Sequence, residues 1–358
     1  MNTSTTSPTV GHSDVTFEVS DPRGELEGVN LYQEVRRPRL GPPFTRDPEG
    51  GRWRLTFPRA EIDRMEYMLE LVRADDSIEW TPDPGNPLRA PGPFGDKSAV
   101  EWPSYDSPGW LDEKLLQPGR IVEGSVDCPP IRASLPVLMW SSHGAPDDQP
   151  LPLLVAHDGP EYGSYSKLTR LLDHATSQRK LPPMRAALIG PVDRNEIYSA
   201  SAAYGRTLAH DVLPWLNRHA PIPRGRRFRV GMGASLGALA MLHAHRTHPA
   251  SFGALYLQSG SFFRQRFDKH ESGFPRFRRI SRFVGRVLAA DDWSHPIPVT
   301  MSCGNIEENL ANNHEVCGAL KRQGYDVCLV TFRDGHNWVG WRDTFDPHLV
   351  DLLRRTWA

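Results

Sequence analysis

Residues Gly231-Met-Gly-Ala-Ser-Leu-Gly-Ala-Leu239, GMGASLGAL, follow the apolar run Phe228-Arg-Val and lead into ALAMLHAHR, which reads as a helix. Glycine loses more backbone entropy on folding than any other residue, so Gly231, Gly233 and Gly237 together would weaken an ordinary strand or helix. Gly233-Ala-Ser-Leu-Gly237 fits G-x-S-x-G, in which small residues beside the serine allow a sharp strand-to-helix turn that exposes its hydroxyl. The plainer reading is a tight packing turn with a bystander serine. What surrounds the stretch decides between them.

Eight strand-like runs follow Gly119: RIVEGSVD, ASLPVLMWS, LPLLVAHDG, RAALIGPVD, RFRVGMG, GALYLQSG, PVTMSCG and DVCLVTFRDG. After the first two they alternate with helix-like stretches over Tyr165 to Ala175, Ala202 to Arg218, Leu236 to Thr247, Leu310 to Gln323 and Trp341 to Thr356. Such alternation predicts a mostly parallel sheet with helices on both faces, an α/β-hydrolase arrangement. Ligands on these sheets sit at the carboxyl ends of the strands, which is where Ser235 falls.

A serine hydroxyl needs a base to take its proton and a third group to orient that base. In α/β-hydrolases these follow in the order Ser, Asp or Glu, His. PVTMSCG runs into GNIEEN, placing Glu307 and Glu308 beyond a strand end, and DVCLVTFRDG runs into DGHNW, placing His336 in the loop after the last strand. Glu307 is the expected acid. Glu308 is the alternative, although a charge there also suits a helix N-terminus. His243, His245 and His248 are assigned to the helix after Ser235. An oxyanion hole requires the N–H of Leu236 and a second donor from HDGPEYG, residues 157–163. Pro160 has no N–H, which leaves Gly159 or Glu161. Tyr162 of the same loop is a candidate substrate contact.

The N-terminal region has another texture. VTFEVS, GVNLYQEV, GRWRLTF and MEYMLELV alternate with period two between Pro, Gly and Asp, predicting a β-sandwich over 13–80 after a disordered tail, 1–12. Seven prolines between Pro82 and Pro108 predict an irregular connector, 81–118. The catalytic domain then covers 119–358. The start lacks a basic end followed by an apolar block, and no run of eighteen apolar residues occurs, so a soluble cytoplasmic protein is expected. Cys128, Cys303, Cys317 and Cys328 lack metal-site spacing and read as reduced core thiols. With 42 basic and 43 acidic residues, net −1, nothing draws the chain to nucleic acid or membrane. No metal or organic cofactor is expected, and no oligomeric state follows.

From Arg264 to Arg286 the chain holds eight Lys or Arg against two acids, interleaved with Phe267, Phe274, Phe277 and Phe283. Cations among aromatic faces, Arg276 and Arg279 among them, suit an anionic or catecholate-like ligand; the plainer reading is an amphipathic helix with a solvated basic face. Trp338 and Trp341 flank His336. Trp338 is a candidate wall of an acyl or aryl pocket, and Trp341 reads as core.

HDGPEY, GPVDRNEIY, GASLGAL, GNIEENLANN and DGHNWVGWRDTF, in this order, resemble the Putative esterase family that includes the enterochelin (siderophore) esterases, and more distantly the antigen 85-type mycolyltransferases. DPGNP and KSAVEWPSY resemble the early-set immunoglobulin-like domain that precedes those esterases. The resemblance implies Ser235 as nucleophile, His336 as base, Glu307 as acid and Leu236 in the oxyanion hole, with Arg194 and Glu196 in a loop-stabilising stretch. It implies a serine carboxylic-ester hydrolase acting on a small-molecule ester of siderophore, aryl or anionic type. Acyl transfer to an alcohol, a carbohydrate ester as substrate, and a non-catalytic glycan- or siderophore-binding protein are the alternatives.

Overall fold

The computed structural model describes residues 8–114 and 117–357. The chain divides into two compact units: one contains residues up to Ser107 with the segments Gly304–Glu307 and Phe332–Gly340, the other the remainder.

Among its described residues the first unit holds ten strands: β1 (Thr9–Val10), β2 (Asp14–Asp21), β3 (Leu26–Gln33), β4 (Leu40–Pro43), β5 (Thr45–Arg46), β6 (Gly51–Pro58), β7 (Arg64–Arg73), β8 (Ile78–Thr81), β9 (Arg89–Ala90) and β10 (Lys97–Glu101). One antiparallel sheet has the order β1-β2-β6-β5, the other β4-β3-β7-β10-β9 with β8 on β7. Alternation puts Val15, Phe17 and Val19 of β2 inward. With Trp53 and Phe57 they share one core with Val29, Leu31, Met65, Tyr67 and Leu69 of the second sheet. Burying each such side chain is worth about 1.5–3 kcal/mol.

Two expected boundaries change. Of the tail expected over 1–12, residues 1–7 lie outside the described residues, while Thr9 and Val10 pair with Thr16 and Val15. The span 81–118 is not an irregular connector throughout, because its prolines fall outside Lys97–Glu101, which stays able to donate to a ladder. Ser98 pairs with Tyr67 and Val100 with Met65. The DPGNP turn is tied down by Asn86, whose Nδ2 donates to the Ala99 carbonyl at 2.6 Å, and by the Tyr67 hydroxyl, which donates to Asp83 at 2.8 Å.

The second unit is built on β11 (Arg120–Cys128), β12 (Ala133–Ser141), β13 (Leu153–His157), β14 (Arg185–Ile189), β15 (Arg229–Ala234), β16 (Ala254–Gln258), β17 (Val299–Gly304) and β18 (Val327–Phe332), in the order β11-β12-β14-β13-β15-β16-β17-β18. β11 and β12 are antiparallel, whereas β13 is parallel to both β14 and β15, and β16 to both β15 and β17. The central strands are buried from end to end, as a sheet covered on both faces demands. All eight runs read from the sequence are strands.

The helix Leu236–Thr247 matches its expected bounds, carries His243 and His245, and is capped rather than continued by His248. Two longer expectations are interrupted. Ala202–Thr207 and Leu213–His219 are joined by a wide turn over Leu208–Val212, and Trp338–Asp343 and Val350–Trp357 by another over Phe345–Leu349. Pro214 and Pro347 explain both, since proline cannot donate the i−4 hydrogen bond. Cys128, Cys303 and Cys317 are buried as expected, but Cys328 on β18 is exposed. No helix among the described residues is long and apolar enough to cross a membrane.

Burial sets an acid limit on stability. It pushes His157 and His243 down to about 4 and His245 to about 3, from an ordinary 6.5. The unfolded chain therefore takes these protons first, so this stability is complete above pH 6.5 and is lost as pH falls through 4, by up to about 1.4 kcal/mol per pH unit for each proton. Asp334 acts oppositely. Burial raises its carboxyl to about 7, with the Arg64 guanidinium 3.5 Å away pulling down, so its contribution is present below pH 3.8 and lost as pH rises through 7. The Tm should fall between pH 7 and 4, and more steeply in Asp334→Asn. A shallower fall in that variant would contradict the assignment.

Candidate active site

Ser235 sits between β15 and its helix at φ 55° and ψ −121°. A non-glycine residue there is strained and persists only where the surroundings fix it. Gly233 supplies part of the reason: a Cβ on it would lie 2.5 Å from the Gly237 carbonyl carbon. The Ser235 hydroxyl is half-buried, with the Ser261 hydroxyl 3.0 Å away.

β13 delivers His157 and Asp158 beside this turn. His157 Nδ1 lies 3.0 Å from the Gly237 carbonyl and Nε2 lies 2.8 Å from the Tyr204 hydroxyl. A neutral ring has one donor, and a carbonyl only accepts, so Nδ1–H donates to Gly237 and Nε2 accepts from Tyr204. Asp158, at φ 49°, accepts from Arg194 Nε and Nη2 at 2.8 Å each. This bidentate pair fixes the backbone that continues into Gly159, where a Cβ would collide with Leu188.

Within the first unit, the Glu307 carboxylate lies 2.6 Å from His336 Nδ1 through Oε2 and accepts the Gly304 N–H through Oε1 at 2.7 Å. The Glu307 side chain is 1% exposed and that of His336 37%. Residues flanking His336 are held from β7 and the residue before it. The Arg333 carbonyl accepts from Asp63 N–H at 2.8 Å, and Arg333 Nε donates to Asp63 Oδ2 at 2.9 Å. Buried Arg64 lies 3.5 Å from both Asp334 Oδ2 and Asn337 Oδ1, and 3.0 Å from Glu66. Glu308, the alternative acid, instead faces His270 at 3.1 Å. His270, Glu271 and Glu308 bring ligand atoms within 4.8 Å of one another, but His270 and Glu308 are exposed, so no metal is assigned there.

The remaining candidates divide. Leu236 opens its helix and Gly159 the short helix Gly159–Ser164, so neither N–H has an acceptor four residues back in its helix. Burial raises the Glu161 carboxyl above its ordinary value. Tyr162 is not a wall of an open site: its side chain is fully buried and its hydroxyl donates to Gln258 at 2.7 Å. Its place in a one-turn helix directs it inward. Arg276 and Arg279 are not unpaired cations, since both hold the Glu196 carboxylate and Arg279 also holds the Ser199 carbonyl. They lie at the start of the amphipathic helix Phe277–Ala289, whose Ile280, Phe283, Val284 and Val287 are buried. Arg279→Ala should therefore change KM by factors within about twofold of each other for an anionic and a neutral ester. A selective rise for the anionic ester would make Arg279 a substrate contact after all. Trp338 begins its helix half-buried, whereas Trp341 is core, as expected. Sequence reasoning missed Ser261, Asp158 and Asp334; the only signal was a polar residue within three positions of a strand end.

A mostly parallel sheet of this order, with a strained serine between its central strand and a helix, defines a fold of the α/β-hydrolase type. The chain belongs to the Putative esterase family, whose model matches residues 134–352. In sequence it is 27% identical over 250 residues to the iron(III) enterobactin esterase of Dickeya dadantii (strain 3937), covering 63% of this chain and 56% of that one. It is 23% identical over 208 residues to the enzyme of the same name from Escherichia coli (strain K12), covering 56% and 49%. The chain thus spans about half the length of these relatives. The crystal structure of the enterobactin esterase from Shigella flexneri in the presence of enterobactin matches with a TM-score of 0.77 at 20% identity, over 98% of this chain and 94% of that one.

Proposed function

We propose that the protein is a serine carboxylic-ester hydrolase that cleaves siderophore-type esters through an acyl-enzyme. The observation that carries this reading is the Glu307–His336 pair, a buried carboxylate 2.6 Å from Nδ1 of an accessible imidazole, in a chain whose family serine lies in a strained strand-to-helix turn. With Nδ1 given to Glu307, proton exchange with Ser235 falls to Nε2.

Ser235 Oγ attacks the ester carbonyl carbon while His336 takes its proton. The oxyanion receives the N–H group of Leu236 and that of Gly159 or Glu161. The alkoxide leaves with the proton from His336. Water then gives a proton to His336 and attacks the acyl carbon, and the acid departs as Ser235 Oγ is reprotonated. Glu307 stabilises the imidazolium at each stage.

The two antiparallel sheets over one core support an immunoglobulin-like reading of the N-terminal domain. Three buried free thiols suit the cytoplasm. The names of the relatives support the substrate class. Hydrolysis of ferric and iron-free enterobactin beside p-nitrophenyl acetate tests it. Faster Ser235-dependent cleavage of the siderophore supports the reading; cleavage of the simple ester alone sinks the substrate class, and cleavage of neither sinks the activity.

A further inference from the structure

A second hydroxyl touches the nucleophile. Ser261 is buried, and its Oγ lies 3.0 Å from Ser235 Oγ. The Ser261 N–H donates to the Ser235 carbonyl at 3.1 Å, and the Ser235 N–H donates to the Gln258 carbonyl at 2.9 Å. Three hydrogen bonds therefore stitch the serine turn to the segment that follows β16.

That segment is itself strained and tightly held. Ser259 adopts φ 48°, a conformation that a non-glycine residue keeps only when its surroundings over-determine it. Asn309 Nδ2 donates to the Ser259 carbonyl at 2.8 Å and to that of Gly260 at 3.2 Å. Asn313 accepts the Gly260 N–H at 3.0 Å and donates to the Gly260 carbonyl at 3.1 Å. Trp341 Nε1–H donates to Ser259 Oγ at 2.8 Å. These three side chains come from the GNIEENLANN and DGHNWVGW stretches, and a Ser, His and Glu mechanism needs none of them. What they hold in place is Ser261.

Either hydroxyl could donate to the other, and the proposed mechanism sets the direction. Each hydroxyl has one hydrogen, and one hydrogen lies between the two oxygens. Ser235 must keep its own for the base. The hydrogen between them therefore belongs to Ser261.

We propose that Ser261 is a catalytic residue, donating its O–H to Ser235 Oγ and stabilising the negative charge that this oxygen carries twice per turnover. This rests on Ser235 being the nucleophile. The charge appears first when the Ser235 proton has moved to the base before the bond to the acyl carbon is complete. It appears again when Oγ leaves the acyl carbon in deacylation. Ser261 keeps its proton throughout, and no bond to it is made or broken. A hydrogen bond to a charged oxygen is stronger than one to a neutral oxygen, so the interaction favours the transition states over the resting state.

Ser261→Ala should lower kcat on p-nitrophenyl acetate about 10- to 100-fold, with KM within about twofold of wild type, and slow labelling by a fluorophosphonate in proportion. Ser261→Thr keeps the hydroxyl and should recover most of the loss. Thermal unfolding is read alongside. If Ser261→Ala does not fold, Ser261→Cys, whose thiol is a weak donor, takes its place with the same expected loss. Wild-type rates in the Ala or Cys variant, or a Thr variant as slow as Ala, would overturn the proposal. Ser235→Ala is measured in parallel: if it still turns over, the nucleophile assignment itself has failed.

Discussion

Ser235→Ala should lower kcat by about 10⁴- to 10⁶-fold, abolish labelling by fluorophosphonates and leave KM and Tm nearly unchanged. On the proposed mechanism, removing the hydroxyl eliminates the atom that would be acylated. Ser261, 3.0 Å away, is stitched to the Ser235 carbonyl through its own N–H and is therefore fixed behind the nucleophile. The Tm should stay close to wild type, because alanine gives up the bond to the Ser261 hydroxyl but keeps both backbone bonds that tie the turn to the segment after β16. Activity surviving in this variant would move the chemistry away from the β15 turn and remove the acyl-enzyme as the intermediate.

Glu307→Gln should lower kcat by about 10³- to 10⁴-fold, whereas Glu308→Gln should stay within about twofold of wild type. The asymmetry follows from one backbone amide. The Gly304 N–H donates to Glu307 Oε1 at 2.7 Å, so a glutamine there must turn its carbonyl oxygen toward Gly304 and its NH₂ toward His336. An NH₂ facing Nδ1 requires that nitrogen to be unprotonated, which places the hydrogen on Nε2 and leaves the ring unable to accept a proton from serine. Flipping the amide would restore the tautomer at the cost of a buried, unsatisfied Gly304 N–H. Glu308 instead turns its carboxylate to His270. A large loss in Glu308→Gln with a mild one in Glu307→Gln would exchange their roles.

The sequence made the strand ends legible because each is marked twice, by an apolar run and by the polar residues that follow it. On that basis Ser235, Glu307 and His336 were singled out as candidates, with Glu307 preferred to Glu308. Pairings across long separations were not legible. The commitment of Arg276 to Glu196 joins residues 80 positions apart, so a basic stretch counted as available charge is partly neutralised. Tyr162 was misplaced because a loop residue and a one-turn helix residue look alike in sequence but point oppositely. Ser261 and Arg64 depend on tertiary geometry alone: the first on the conformation of Ser259, the second on a contact with Asn337 spanning 273 positions. The prolines at 82–93 were read as breakers along the whole span, when they only separate short strands.

The loop bearing the base is grouped with residues before Ser107, and Asp63 and Arg64 hold the positions on either side of His336. This constrains how the molecule can be recombined. A chimera that joins the hydrolase sheet of this chain to the leading sandwich of a relative would inherit Ser235 and Ser261 with their surroundings complete, but would place foreign side chains opposite Arg333 and Asp334. Its proton-transfer pair would be grafted onto a mismatched support. A breakpoint at Ser107 would separate Asp63 and Arg64 from Arg333, Asp334 and Asn337, so the loop that carries His336 would lose those supports.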